Sequence, residues 1–147
     1  MGKPSHLLEQ IRRLLTGDDD AALLIGVPAT IPLNAFVEYG KSIVDLETIS
    51  IVQAGAGVHA IKADLAGKKY LLMGAQLTGD TADTTCQFRE TDDSPVYQGA
   101  WTFNDNGGIC MPVTGFPYLT TADGKGLELI TVTGGVNGMV QVLEVDI

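Results

Sequence analysis

From Ser42 onward the sequence consists of short β-prone runs, and a turn-forming cluster interrupts it roughly every ten residues. The clusters are Ala66-Gly67-Lys68, Gly79-Asp80, Asp92-Asp93-Ser94-Pro95, Asn104-Asp105-Asn106-Gly107-Gly108, Asp123-Gly124 and Gly134-Gly135. Each combines residues that tolerate left-handed backbone or bond their own main chain, so neither a long helix nor a long strand can run through. Between them the spacing predicts strands over 43–52, 58–63, 70–78, 84–90, 96–103, 109–112, 117–121, 127–133 and 139–145. Many short strands of this kind point to a β-sandwich or barrel, and about eight suit a jelly roll. The two runs around Gly134-Gly135 read as a terminal hairpin that closes the sandwich.

Several runs alternate cleanly. Cys86 and Phe88 share one face of their strand, with Gln87 and Arg89 on the other. Tyr97, Trp101 and Phe103 share a face, and so do Leu71, Met73, Ala75 and Leu77. Trp101 is expected in the core near Phe88 and Phe103; a sugar-stacking platform needs the same aromatics exposed. Other runs are apolar on both faces. Met139, Val140, Val142, Leu143 and Val145 cannot all point inward from one strand, and Ile49, Ile51 and Val52 pose the same problem. Either the N-terminal segment or a second subunit must cover the excess. A homotrimer is expected, with Ile49, Ile51, Met139 and Leu143 as its interface.

The first forty residues are different in kind. Leu7, Leu8, Ile11, Leu14 and Leu15 form one apolar stripe of a helix over 5–16, with Ser5 as N-cap and Gly17 beyond its end. Residues 21–40 are apolar but broken by Pro28 and Pro32, which a helix cannot absorb. They read as an extended arm with an edge strand over 35–39. The chain is thus expected to be all-β: a jelly-roll-like sandwich over 42–147, preceded over 1–40 by a short amphipathic helix and an arm. The five-residue stripe is the candidate attachment to a larger particle, because so short a helix is marginal alone in water.

Composition narrows the function. A net charge of −9 with nine Lys and Arg argues against nucleic acid and against an anionic membrane surface. The longest apolar runs are too short to span a bilayer, and the charged, amphipathic N-terminus does not read as an export signal. Cys86 and Cys110 are expected to be free thiols of a reducing compartment. His6 and His59 are the only histidines, with no ligand-spaced Cys or His beside them, so neither a zinc site nor a Cys/His nucleophile is expected. Asp18-Asp19-Asp20 and the pair Asp80 and Asp83 lack the spacing of a calcium loop. No cofactor is expected, and the profile is that of an assembly protein rather than an enzyme.

A looser pattern runs through residues 56–145. Gly67-Lys68 opens a strand, Gly107-Gly108 and Pro112 follow, then Thr121, Gly124, Leu127 and Leu129, and finally Val136, Gly138, Val140 and Val142. This resembles a recurrent module of tailed-phage virion proteins. The resemblance implies a small jelly roll, often trimeric, used for capsid decoration (cement) or in fibres and tail parts. It implies no catalytic residues, a major capsid protein or other virion protein as partner, and a location in the virion after assembly in the host cytoplasm. A carbohydrate- or receptor-binding module of a fibre or tail part is the alternative. The sequence departs from the pattern at Ile130-Thr131-Val132, where small polar residues are more usual.

Overall fold

The computed structural model describes residues 34–53, 55–92 and 100–147. The chain divides into two units, Met1–Leu33 and Asn34–Ile147. The expected helix with Leu7, Leu8, Ile11, Leu14 and Leu15, most of the arm, and Tyr97 lie outside the described residues.

Among the described residues nine strands follow Asn34: β1 (Glu47–Gln53), β2 (Gly57–Lys62), β3 (Lys68–Gly79), β4 (Thr84–Glu90), β5 (Trp101–Phe103), β6 (Gly108–Met111), β7 (Leu119–Thr120), β8 (Leu127–Val132) and β9 (Val136–Asp146). They form two antiparallel sheets. One has the order β1-β9-β3-β6, with β7 also on β3; the other has the order β2-β8-β4-β5. Every connection except β4–β5 and β6–β7 crosses from one sheet to the other. Setting aside the two-residue β7, this is the eight-strand winding of a jelly roll.

The segment around Gly134-Gly135 is therefore a corner between sheets and not a hairpin: β8 pairs with β2 and β4, whereas β9 pairs with β1 and β3. The corner turns on two consecutive left-handed residues, Thr133 (φ 61°) and Gly134 (φ 89°). Asp80 holds it in place. Its carboxylate accepts from the Gly135 N–H at 2.7 Å, and its own N–H donates to the Gly135 carbonyl at 3.1 Å. Two-residue spacing between β-runs suggests a hairpin, but here the side chains of both runs are needed on opposite walls of one core.

That core lies between the sheets. Phe88, Leu127 and Leu129 of the four-stranded sheet meet Ile51, Leu72, Leu77, Val140 and Val142 of the five-stranded one, all fully or almost fully buried. Phe103 is buried as well, and half-buried Trp101 sits edge-on to Phe88, centroids 6.0 Å apart at 70°. The expected alternation in β4 holds residue for residue.

In β3 it does not hold. The register with β9 shifts between Leu72 and Gly74, so Met73 is an extra residue that resets the parity of the strand. Tyr70, Leu72, Ala75 and Leu77 face the inter-sheet core, while Leu71 and Met73 face the other way.

The outward pair joins a second, smaller core with Leu143, Val145 and Ala35. Residues 35–39, expected as an edge strand, carry instead the short helix α1 (Ala35–Glu38). Asn34 caps it by accepting from the Phe36 N–H at 3.0 Å, and the Ala35 N–H donates to Gly115 at 2.9 Å. A capping asparagine sets the segment helical where its apolar content alone suggested a strand. Phe36, Tyr39 and Leu46 pack around the same cluster. Residues 34–41 thus belong with the sandwich, and the boundary expected near residue 41 moves to residue 34.

Candidate interaction surface

Among the described residues there is no pocket and no group of His, Cys, Asp or Glu able to hold a metal ion. No helix among them is long and apolar enough to cross a membrane. Both cysteines are free; Cys86 is buried, which pushes its thiol up to about 11, and Cys110 is exposed.

Among the described residues, several polar side chains stitch loops together. Asp64 accepts from the Gly126 N–H at 2.7 Å and from the Thr91 hydroxyl. Buried Glu90 accepts from the Ala122 N–H at 2.8 Å, and Lys125 pairs with Asp92. At the far end of the five-stranded sheet Lys68 bridges Glu144 (2.9 Å) and Asp146 (2.6 Å), and Lys62 pairs with Glu47.

These contacts make acid stability predictable. The Thr91 hydroxyl, then the Gly126 N–H, hold Asp64 below its ordinary 3.8, and the Lys68 ammonium does the same for Asp146. A carboxyl depressed in the folded state contributes fully above its unfolded pKa and loses that contribution as pH falls through its folded one. The urea midpoint should therefore stay level from neutral pH down to about 4 and then fall. Asp64→Asn keeps an acceptor for Gly126 but has no charge to lose, and should shallow the fall. An acid limb identical to the parent's would remove Asp64 from this account.

What remains is surface. The outer face of the four-stranded sheet carries the row Val58–Ile130–Gln87 and, beside it, Val132–Thr85–Thr102. Val58 and Val132 are 56% and 55% exposed, and Ile130 is half-buried between them. The charges on this face, Arg89 and Glu128, bond each other at 3.0 Å. The departure noted at Ile130-Thr131-Val132 thus has a structural meaning. Thr131 points inward and is buried, with its hydroxyl donating to Gly55, while the two aliphatic residues face out. Sequence reasoning did not assign Val58 and Val132 to a surface. The alternation Leu127-Glu128-Leu129 inward and outward was the available signal, and Leu127 and Leu129 fix its phase.

The four residues expected to form an oligomer interface separate. Ile51 is fully buried in the inter-sheet core, Ile49 is half-buried against the same core, and Leu143 is fully buried under α1. Met139 alone is on the surface, at 42% exposure. Ile51 and Leu143 are corrected accordingly: the chain covers the second apolar face of β9 with its own residues 35–46. His59 is half-buried in β2 opposite Leu129.

No family model and no curated protein matches the chain. Among solved structures, the fold aligns with the cryo-EM structure of the virus-like particle of the extra small virus of the giant freshwater prawn Macrobrachium rosenbergii. The alignment has 9% identity, covers 79% of this chain and 87% of that one, and has a TM-score of 0.27.

Proposed function

We propose that the chain is a non-enzymatic structural protein of a virus particle, and within that class a tailed-phage capsid decoration (cement) protein that stabilises the head by binding its surface. The observation that carries this reading is the outer face of the four-stranded sheet, where Val58, Ile130 and Val132 form an aliphatic patch over two adjacent rows whose neighbouring charges cancel. Jelly rolls serve capsids and lectins alike, so the fold alone does not choose between them. Exposed aliphatic side chains favour a large protein partner over a sugar, which is bound through hydrogen bonds and stacked aromatics. The glycine and valine pattern shared with virion modules supports the same choice. The N-terminal stripe of Leu7, Leu8, Ile11, Leu14 and Leu15 is the second anchor.

The test is sedimentation of the full chain with undecorated heads of the phage that carries its gene. The full chain should pellet with the heads, and the double variant Val58→Glu/Val132→Glu should stay in the supernatant. A full chain that never pellets with heads overturns the reading. If it is retained on immobilised glycans instead, the receptor-binding alternative takes its place, with Trp101 as the first residue to replace.

A further inference from the structure

Among the described residues, the edge strands of the sandwich guard their own edges with one exception. Edge strands expose unpaired N–H and C=O groups, and proteins blunt them by shortness, bulges, lysines or prolines. In this sandwich β5 has three residues, β6 four and β7 two. β2 carries a register shift between Ala60 and Lys62, and a lysine at that point. β1 has none of these. It runs seven residues, Glu47-Thr-Ile-Ser-Ile-Val-Gln53, in unbroken register with β9. It contains no Lys, Arg, Pro or Gly, and no described residue pairs with its other edge.

The outer-face rows that run in from Ser50 and Val52 are uncharged in a chain of net charge −9, and the one charge on β1, Glu47, is paired with Lys62. On the outer face, Ser50 lies in line with Met139, Gln76 and Cys110, and Val52 in line with Asn137, Thr78 and Gly108. Val52 is 72% exposed. Two copies can therefore approach here without bringing their acidic surfaces together.

We propose that β1 is a strand-addition site for a second copy of this chain, the two β1 strands pairing antiparallel about Ser50 so that the five-stranded sheets become one continuous sheet. The segment is complementary to itself in that register. Ile49 lies opposite the partner's Ile51, extending the inter-sheet core past the sheet edge. Thr48 lies opposite the partner's Val52 on the outer face. Glu47 falls at the far end from its own copy, so no like charges face each other, an arrangement that would be destabilising. A two-fold contact of this kind uses the same patch on both copies. The trimer expected from the sequence drew on Ile51 and Leu143 as surface residues, and both are internal. The proposal does not depend on the virion reading.

Sedimentation equilibrium of the full chain should give twice the 15.5 kDa chain mass. Ser50 is exposed, so Ser50→Lys should leave the circular dichroism spectrum unchanged and halve the mass by setting two ammonium groups face to face. Ser50→Glu alone should do the same, and an equimolar mixture of the two variants should recover the doubled mass. As an independent measurement, Ser50→Cys in a Cys110→Ser background should oxidise to a covalent dimer. Directly opposed residues have Cα atoms about 4.5–5.5 Å apart, within disulfide reach of about 4.4–6.8 Å. A parent chain of single mass, a tripled mass, or a doubled mass that Ser50→Lys leaves intact would each overturn the proposal. If Ser50→Lys unfolds, absence of the Ser50→Cys cross-link overturns it.

Discussion

Gly138→Ala should be the most damaging single methyl group that can be added to β9. Gly138 has φ near +150°, and a Cβ there would lie 1.9 Å from the Gln76 carbonyl oxygen on the paired strand. Neither problem can be relieved alone. Moving β9 away from β3 breaks the ladder at Leu77, and relaxing φ breaks the register with Ile51 on the other side. Backbone strain of this kind costs about 1–3 kcal/mol, and overpacking typically costs about 1–3 kcal/mol more. The sum, about 2–6 kcal/mol, is a large part of the roughly 5–15 kcal/mol that holds a domain folded. Urea unfolding of the soluble variant measures it. A midpoint within error of the parent would mean that the close approach to Gln76 is not a constraint. The same contact gives the glycine of the Val136-x-Gly138-x-Val140-x-Val142 pattern a physical reason.

Two N-terminal deletions should behave very differently, although they differ by seven residues. Removing residues 1–33 leaves Asn34 to cap α1 and keeps every named residue of the smaller core in the chain. Removing 1–40 takes away α1 and Tyr39 and uncovers Leu71, Met73, Leu143 and Val145, all now at most 1% exposed. Each such side chain is worth about 1.5–3 kcal/mol when fully buried, so re-exposing half of that surface on four of them costs about 3–6 kcal/mol. The shorter deletion should stay soluble with a cooperative thermal transition. The longer should melt far lower or precipitate. Equal transitions for the two would show that residues 34–40 add nothing to the fold.

Those seven residues mark where the sequence stopped being legible. The strands were readable because turn chemistry punctuates them, and the boundaries of β4 coincide with the expected ones. The alternation of Cys86 and Phe88 was readable because each face of β4 has one character. α1 was not, since Ala-Phe-Val-Glu is apolar enough for a strand and only Asn34 argues otherwise. The parity of β3 was misread because a bulge is invisible to a period-two count: Tyr70 and Leu72 are in phase with each other but not with Ala75 and Leu77. The surface suffered from the same ambiguity. A strand apolar on both faces tells a reader that something covers it, but not whether the cover is another chain or residues 35–46 of the same one. Met139 stays outside while Leu143, four residues on, goes under α1, and nothing local distinguishes them.

The place of β9 also has a consequence in time. It lies between β1 and β3, yet it is the last of the nine strands to be synthesised. β1 ends at Gln53 and β9 at Asp146, 93 residues later. At about 5–20 residues per second a ribosome needs about 5–19 s to cover that distance. Throughout that interval the nascent five-stranded sheet lacks its centre, and β1 lacks the strand it pairs with among the described residues. The sandwich cannot assemble progressively from its N-terminal end. It must wait for residues 136–146 and then close both sides of β9 together, so β1 is most exposed to other chains while its own partner strand is still unmade.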